Sequence, residues 1–172
     1  MKKRSFRKQW SRTQDSSLLQ CPDRNPAGKR HRKKAVPYRS GTVPYVIEDD
    51  GNISVLLVTP RKGGKWILPK GNIARGMNRF HSAVKETCEE AGVLGDAREV
   101  LLGIQESNNH QFIEFYPLEI RQILPEWQES GIRSRLFFPL EEARKELENT
   151  EGSAILDALQ YYIRERAGKD VT

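Results

Sequence analysis

The sequence predicts a mixed α/β fold in which helices cover both faces of a β-sheet. Three observations point there. Short apolar runs bounded by turn residues occupy 42–68 and 98–124; an apolar stripe with helical period runs from 80 to 91; and a second amphipathic run closes the chain at 152–166. Strands that precede and surround one central helix, with a further helix at the end, bury their apolar faces only by stacking as layers. No segment repeats internally.

Taken in order, "TVPYVI", "DDGN" and "ISVLLV" read as a hairpin, with Asp50-Gly51 supplying the turn chemistry. Pro44 has no N–H to give a ladder, so it is expected to place the first strand at an edge or a bulge. "TPRKGGK" reads as a loop, and "WILP" as a short buried strand ending at Lys70-Gly71. Asn78 suits a helix cap and Gly92 a helix stop, which frames a helix to about Ala91. Within it Phe80, Ala83, Val84, Thr87, Cys88 and Ala91 recur with core-facing spacing. "REVLLGIQES" and "HQFIEFYPLEIRQIL" read as two strands around the turn "NN", with Pro117 marking a bulge or edge. "PLEEARKEL" opens a short helix with Pro139 near its first position. "GSAILDALQYYIRER" is a final helix packing through Ile155, Leu156, Leu159, Tyr162 and Ile163.

At 172 residues, 30% charged and 37% hydrophobic, the chain suffices for one domain with a proper core and some excess. No apolar run approaches the ~18–20 residues of a membrane span, and the basic N-terminus lacks the apolar stretch of a secretory signal. Cys21 lies in a polar leader and Cys88 mid-helix, so no disulfide is expected and a reducing cytoplasm is the simplest location. The net charge of +6 hides a division. Residues 1–35 hold 12 Lys/Arg and 2 Asp, a net of +10, which leaves 17 Lys/Arg and 21 Asp/Glu, a net of −4, for the rest. We therefore divide the chain into a basic leader, 1–35, without periodicity and expected to be disordered, and a domain, 36–172. The leader is either a solvated tail or an electrostatic contact to nucleic acid or another polyanion.

The chemistry concentrates in Glu86, Glu89 and Glu90. At i, i+3 and i+4 they share one helical face, where each like-charged i,i+4 pair costs roughly 0.2–0.5 kcal/mol. Hard divalent cations seek oxygen ligands, and Mg²⁺ takes one or two carboxylates with waters and substrate phosphate oxygens. Charge spacing alone is satisfied as well by a solvated helix face.

The surroundings decide between them. From Gly71 to Val93, "GNIARGMNRFHSAVKETCEEAGV" resembles the Nudix box: a glycine, five residues, a glutamate, seven residues, Arg-Glu, an apolar residue, any residue, Glu-Glu, any residue, a glycine and an apolar residue. The core acids match in register, and the resemblance extends over about 40–165. It implies the Nudix fold, a mixed sheet between helices, and a pyrophosphohydrolase in which metal-activated water attacks a diphosphate linkage without a covalent intermediate. It further implies the Gly71 carbonyl, Glu86 and Glu90 as metal ligands, Glu89 as another ligand or the acid that orients water, and Mg²⁺ as the cofactor, with Mn²⁺ as a substitute. Three positions depart: Met77 stands for the first glutamate, Lys85 for the arginine and Thr87 for the apolar residue after it. Lys85, placed where the family's arginine orients the acids, serves as a point charge without the planar fork. Glu106 is a candidate extra ligand or base, or a simple loop acid.

Beyond the box, "LLGIQES", "HQFIEFY" and "LPEWQESGIRSRLFFPLEEARKEL" resemble the branch of diphosphoinositol polyphosphate and diadenosine polyphosphate hydrolases. A small, highly phosphorylated substrate needs several cations. Arg39, Arg61, Lys62, Lys65, Lys70, His110, Arg133 and Arg135 come from loops or strand ends and are expected to border one cleft. Of these, Arg39, Arg61, His110 and Arg135 fall near positions where that branch is basic, whereas Asn108 and Ser134 replace bases there. Trp66, Trp127 and Phe112 are candidates for stacking on a nucleobase, with strand packing the plainer role for Trp66, and His81 reads as a cap or surface residue. The alternative to a hydrolase acting on a nucleoside, dinucleoside or inositol polyphosphate is a non-catalytic Nudix domain that binds a nucleotide or RNA. Met77 and Lys85 favour that alternative, and the intact acids oppose it.

Overall fold

The structure, a computed structural model, describes residues 38–107, 111–147 and 152–169. Its elements are β1 (Tyr38–Ile47), β2 (Ile53–Val58), β3 (Lys70–Asn72), α1 (Arg79–Ala91), β4 (Val93–Ala97), β5 (Gly103–Glu106), β6 (Phe112–Ile123), β7 (Arg135–Pro139), α2 (Leu140–Glu146) and α3 (Gly152–Lys169). The leader 1–35, His110 and the "NN" turn lie outside the described residues.

The long strands β1 and β6 run parallel, from Tyr38 opposite Phe112 to Tyr45 opposite Glu119. Each divides its outer flank between two shorter antiparallel strands. On β1, residues 39–41 pair with β3 and 45–47 with β2; on β6, residues 112–115 pair with β5 and 118–123 with β4. β7 adds itself beyond β2.

This arrangement corrects the expectation that Pro44 and Pro117 mark edges or bulges, because both lie in central strands. Thr42 donates its N–H to Pro69 O at 3.3 Å. Two residues on, the nitrogen of Pro44 therefore faces the same flank, at the point where β3 has ended and β2 has not begun. Pro117 accepts from Arg98 N at 3.1 Å, so its backbone faces the gap between β5 and β4. Each proline stands where a strand changes partners, so no ladder bond is lost.

The side-chain period of two separates the cores. Val55 and Leu57 pack with Ala143 of α2 and Ile155, Leu156 and Leu159 of α3, while Leu56 and Val58 pack with Ala91 of α1 and with Val93. Each fully buried side chain of this size contributes roughly 1.5–3 kcal/mol of transfer free energy. Helices thus cover both faces, as the sequence predicts. Tyr162 and Ile163 are partly buried against the α3-side core. No helix among the described residues is long and apolar enough to cross a membrane.

Helix α1 starts and stops where the sequence places it. Asn78 Oδ1 accepts from His81 N at 2.7 Å, and Gly92, at φ 61°, donates its N–H to Cys88 O at 3.0 Å. Ala83, Thr87, Cys88 and Ala91 are buried and Phe80 and Val84 partly so. Thr87 is at home in the core because its hydroxyl meets that of Thr42 at 2.8 Å and donates to Ala83 O at 2.9 Å. His81 is exposed beside the cap, its Nδ1 2.7 Å from Asn78 Oδ1.

Other expectations shift. "WILP" forms only one bridge, Ile67 to Val58, and the strand begins at Lys70. Residues 98–102 are not strand, whereas β4 and β7, which the sequence reading passed over, are. Cys88 is disulfide-bonded, contrary to expectation, and its partner lies outside the described residues.

Candidate active site

Three pieces of chain meet around the second half of α1: the loop from β2 into β3, β3 itself, and the segment 124–134 between β6 and β7 with the first residue of β7. Gly71 brings β3 against the helix. A methyl group on it would lie 1.9 Å from Glu86 Oε2, so the absence of a side chain leaves the space that the Glu86 carboxylate fills. Glu86 is half-buried and makes no hydrogen bond or ion pair among the described residues. Burial raises its pKa; Lys85 opposes the shift, and Glu89 and Glu90 reinforce it.

Glu90 is buried and held at both oxygens. Oε2 accepts from the backbone N–H of Lys70 at 3.0 Å, and Oε1 is ion-paired with Arg133 Nη2. Burial nevertheless keeps its pKa raised, against the pull of the Lys70 N–H and Arg133. Glu89 pairs with Lys85 Nζ at 2.5 Å along the helix. Lys85 thus balances Glu89, and Arg133 balances Glu90. Glu86 alone of the three is left without a cationic partner in contact.

The predicted cations divide. Lys70 lies beside the acids, its Nζ 3.4 Å from Leu68 O; burial, with Arg39 adding to it, lowers its pKa to about 8 despite Glu90. Arg39 reaches Lys70 O at 3.5 Å through Nη2, while its buried Nε has no acceptor among the described residues. Arg61 extends from the loop after β2, its side chain 64% exposed and ion-paired with Glu129. Lys62 and Lys65 are exposed on the same loop, where Gly63 and Gly64 have φ of 73° and 120°.

Arg135 is engaged by backbone carbonyls and an aromatic ring. Nη1 donates to Ala91 O at 2.7 Å and Gly92 O at 2.9 Å, Nη2 donates to Leu124 O at 2.6 Å, and the guanidinium lies 4.0 Å from the centre of the Trp127 ring. It closes the C-terminal end of α1, where the helix dipole favours a cation, and those donors are not open to a substrate. Trp127 is likewise engaged, its Nε1 donating to Glu90 O at 3.0 Å. Trp66 packs edge-on to Phe138 with ring centres 5.3 Å apart, against the core. Phe112 keeps a partly open ring 5.9 Å from that of Tyr38. Glu106 is exposed on β5.

The sequence reading missed Glu129 and took Arg133 for a cleft cation. Glu129 is buried and accepts from both Arg61 and Arg133; burial works against its ionisation, but those two guanidiniums outweigh it and hold its pKa below the usual carboxylate range. The i,i+4 spacing of Glu129 and Arg133 was visible, but their tie to Glu90, 43 residues away, was not.

These donors suit a hard divalent cation. An unpaired carboxylate, Glu86, rests against the Gly71 backbone with Glu90 one helical turn on, and Mg²⁺ asks for about that many protein oxygens. Among the described residues no three acidic, His or Cys side chains converge into a ready-made cage, so waters and substrate phosphate oxygens would complete the shell.

A family model, the NUDIX domain, matches residues 37–159. Nudix hydrolase 21, chloroplastic, of Arabidopsis thaliana is 35% identical over 147 residues, 83% of this chain and 70% of its own length. Diphosphoinositol polyphosphate phosphohydrolase 3-beta of Bos taurus is 30% identical over 128 residues, 72% of this chain and 73% of its own. Among solved structures, the C. elegans Ap4A hydrolase superposes with a TM-score of 0.59 at 22% identity, over 75% of this chain and 99% of that one, which shows a common fold.

Proposed function

Because the chain belongs to the Nudix hydrolase family, we propose that it cleaves the diphosphate linkage of a nucleoside polyphosphate, dinucleoside polyphosphate or diphosphoinositol-type substrate. The observation that carries this reading is the Glu86 carboxylate, unpaired and half-buried against Gly71 with Glu90 held beside it. Mg²⁺ bound by Glu86, Glu90 and the Gly71 carbonyl, with Glu89 adjoining, would neutralise phosphate charge and acidify a water.

The chain's own residues do the rest. Arg39, with a buried Nε that lacks an acceptor, and Lys70 present positive charge next to the acids, where a polyphosphate would lie. Arg61 offers the outer face of a guanidinium already anchored by Glu129. Glu89, coupled to Lys85, holds a carboxylate available to accept or orient a proton from water. The relationship to a diphosphoinositol polyphosphate phosphohydrolase favours a substrate dense in phosphate.

The test is a panel of dinucleoside polyphosphates, nucleoside triphosphates, nucleotide sugars, diphosphoinositols and triphosphorylated RNA, each with Mg²⁺ or Mn²⁺, run beside Glu86→Gln. Turnover that needs metal and disappears in the variant is expected. Metal-dependent binding with no turnover of any member would instead favour the non-catalytic reading, with Met77 and the Lys85–Glu89 pair as its cause.

A further inference from the structure

We propose that Arg133 is a positioning residue for Glu90, and that Glu129 is the support that keeps Arg133 in place. This rests on Glu90 serving in the metal site. The side chain of Arg133 is only 7% exposed, and three of its nitrogens have different acceptors: Nη2 meets Glu90, Nε meets Glu129, and Nη1 donates to Thr59 O at 2.7 Å. A cation kept for substrate would present an open face; this one presents none. Burying a guanidinium is costly unless its geometry and hydrogen bonds are well satisfied, and here that cost is met on the one acid whose other oxygen is fixed by a backbone N–H of β3.

The surrounding backbone sets the register. Glu129 N donates to Glu89 O at 3.2 Å, Trp127 Nε1 to Glu90 O at 3.0 Å, and Arg133 N to Glu129 O at 2.9 Å. Thr59 and Ser134 exchange two hydrogen bonds, from Thr59 N to Ser134 O at 3.0 Å and from Ser134 N to Thr59 Oγ1 at 2.9 Å. The segment 127–134 is therefore seated on the last turn of α1 and on the end of β2 together, and Arg133 carries that alignment to the Glu90 carboxylate. The helix's own cation, Lys85, is engaged by Glu89 and leaves this task open. A lysine at 133 would keep the charge and lose the fork that reaches three acceptors.

The experiment compares full-length wild type with Arg133→Lys and Glu129→Gln by three readouts: thermal unfolding, Mn²⁺ affinity from electron paramagnetic resonance without substrate, and steady-state kinetics. Both variants are expected to stay folded while Mn²⁺ Kd rises about 10–100-fold, the usual loss when a residue behind a metal ligand is changed. kcat should fall with it and KM should change little. Should Arg133→Lys fail to fold, Glu129→Gln reads the same quantity. Unchanged Mn²⁺ Kd and kcat in folded variants would overturn the proposal in favour of a purely structural ion pair. A raised KM at constant Kd would overturn it in favour of direct substrate contact. If wild type itself neither binds Mn²⁺ nor turns over, the functional reading has failed, and this inference with it.

Discussion

Gly71 and Glu86 show how closely single atoms set this site. The three atoms nearest a Cβ at 71 all belong to the Glu86 side chain, so Gly71→Ala should fold and push the carboxylate aside. A shift of about 1 Å at a reacting centre costs about 100-fold; we expect kcat to drop by that order with Tm nearly unchanged, measured on the same preparation. Glu86 also works against stability. Burial foremost, reinforced by Glu89 and Glu90, lifts its pKa above the ordinary 4.5. Between 4.5 and the lifted value the folded protein keeps a proton that the unfolded chain has lost, so this contribution is present at low pH and lost as pH rises through the folded pKa. Metal-free Glu86→Gln should therefore melt above wild type at pH 7, by about 2–4 °C per kcal/mol relieved, with the gap closing toward pH 4.5. Paired melting curves across that range, free of metal, decide it. The box acids were legible because their spacing is local. Their partners were not: Arg133, Glu129 and the Lys70 N–H reach them only through the fold.

At the scale of elements, α1 was the best-read part of the chain, since Asn78, Gly92 and the stripe between them state start, stop and buried face independently. Short strands were read worst. "WILP" has the apolar content of a strand, but Pro69 donates no ladder bond and the pairing begins one residue later. β4, "VLGDA", follows Gly92 directly and bulges between Leu94 and Gly95, so no clean alternation announces it. β7 is recruited only through β2 and stays mostly exposed on its other side. The same limitation hid the structural partners of Arg135, the backbone carbonyls of Ala91, Gly92 and Leu124, which leave no mark in sequence. Arg135→Ala should cost about 2–3 kcal/mol in urea unfolding, as expected for charge-assisted hydrogen bonds, and leave KM unaltered. A raised KM at full stability would assign it to the substrate.

For the whole molecule, the overall pI conceals a division of charge. The leader carries +10 and the domain −4, and every acid and cation described at the site lies within the domain. Deleting residues 1–35 should leave kcat and KM on a small substrate intact, assayed under reducing conditions because Cys88 is bonded outside the described residues. Any affinity for RNA should disappear with the leader, and in the full chain it should weaken steeply as salt is added. The sheet has a division of its own. Pro44 and Pro117 sit in adjacent rows of the parallel pair, and apart from β1 and β6 no strand crosses the line they draw. On one side lie β3 and β5, with Gly71 and the acids; on the other lie β2, β4 and β7. Glu90 fastens the two sides across that line, one carboxylate oxygen held by the Lys70 N–H of β3 and the other by Arg133, which also grips Thr59 O at the end of β2.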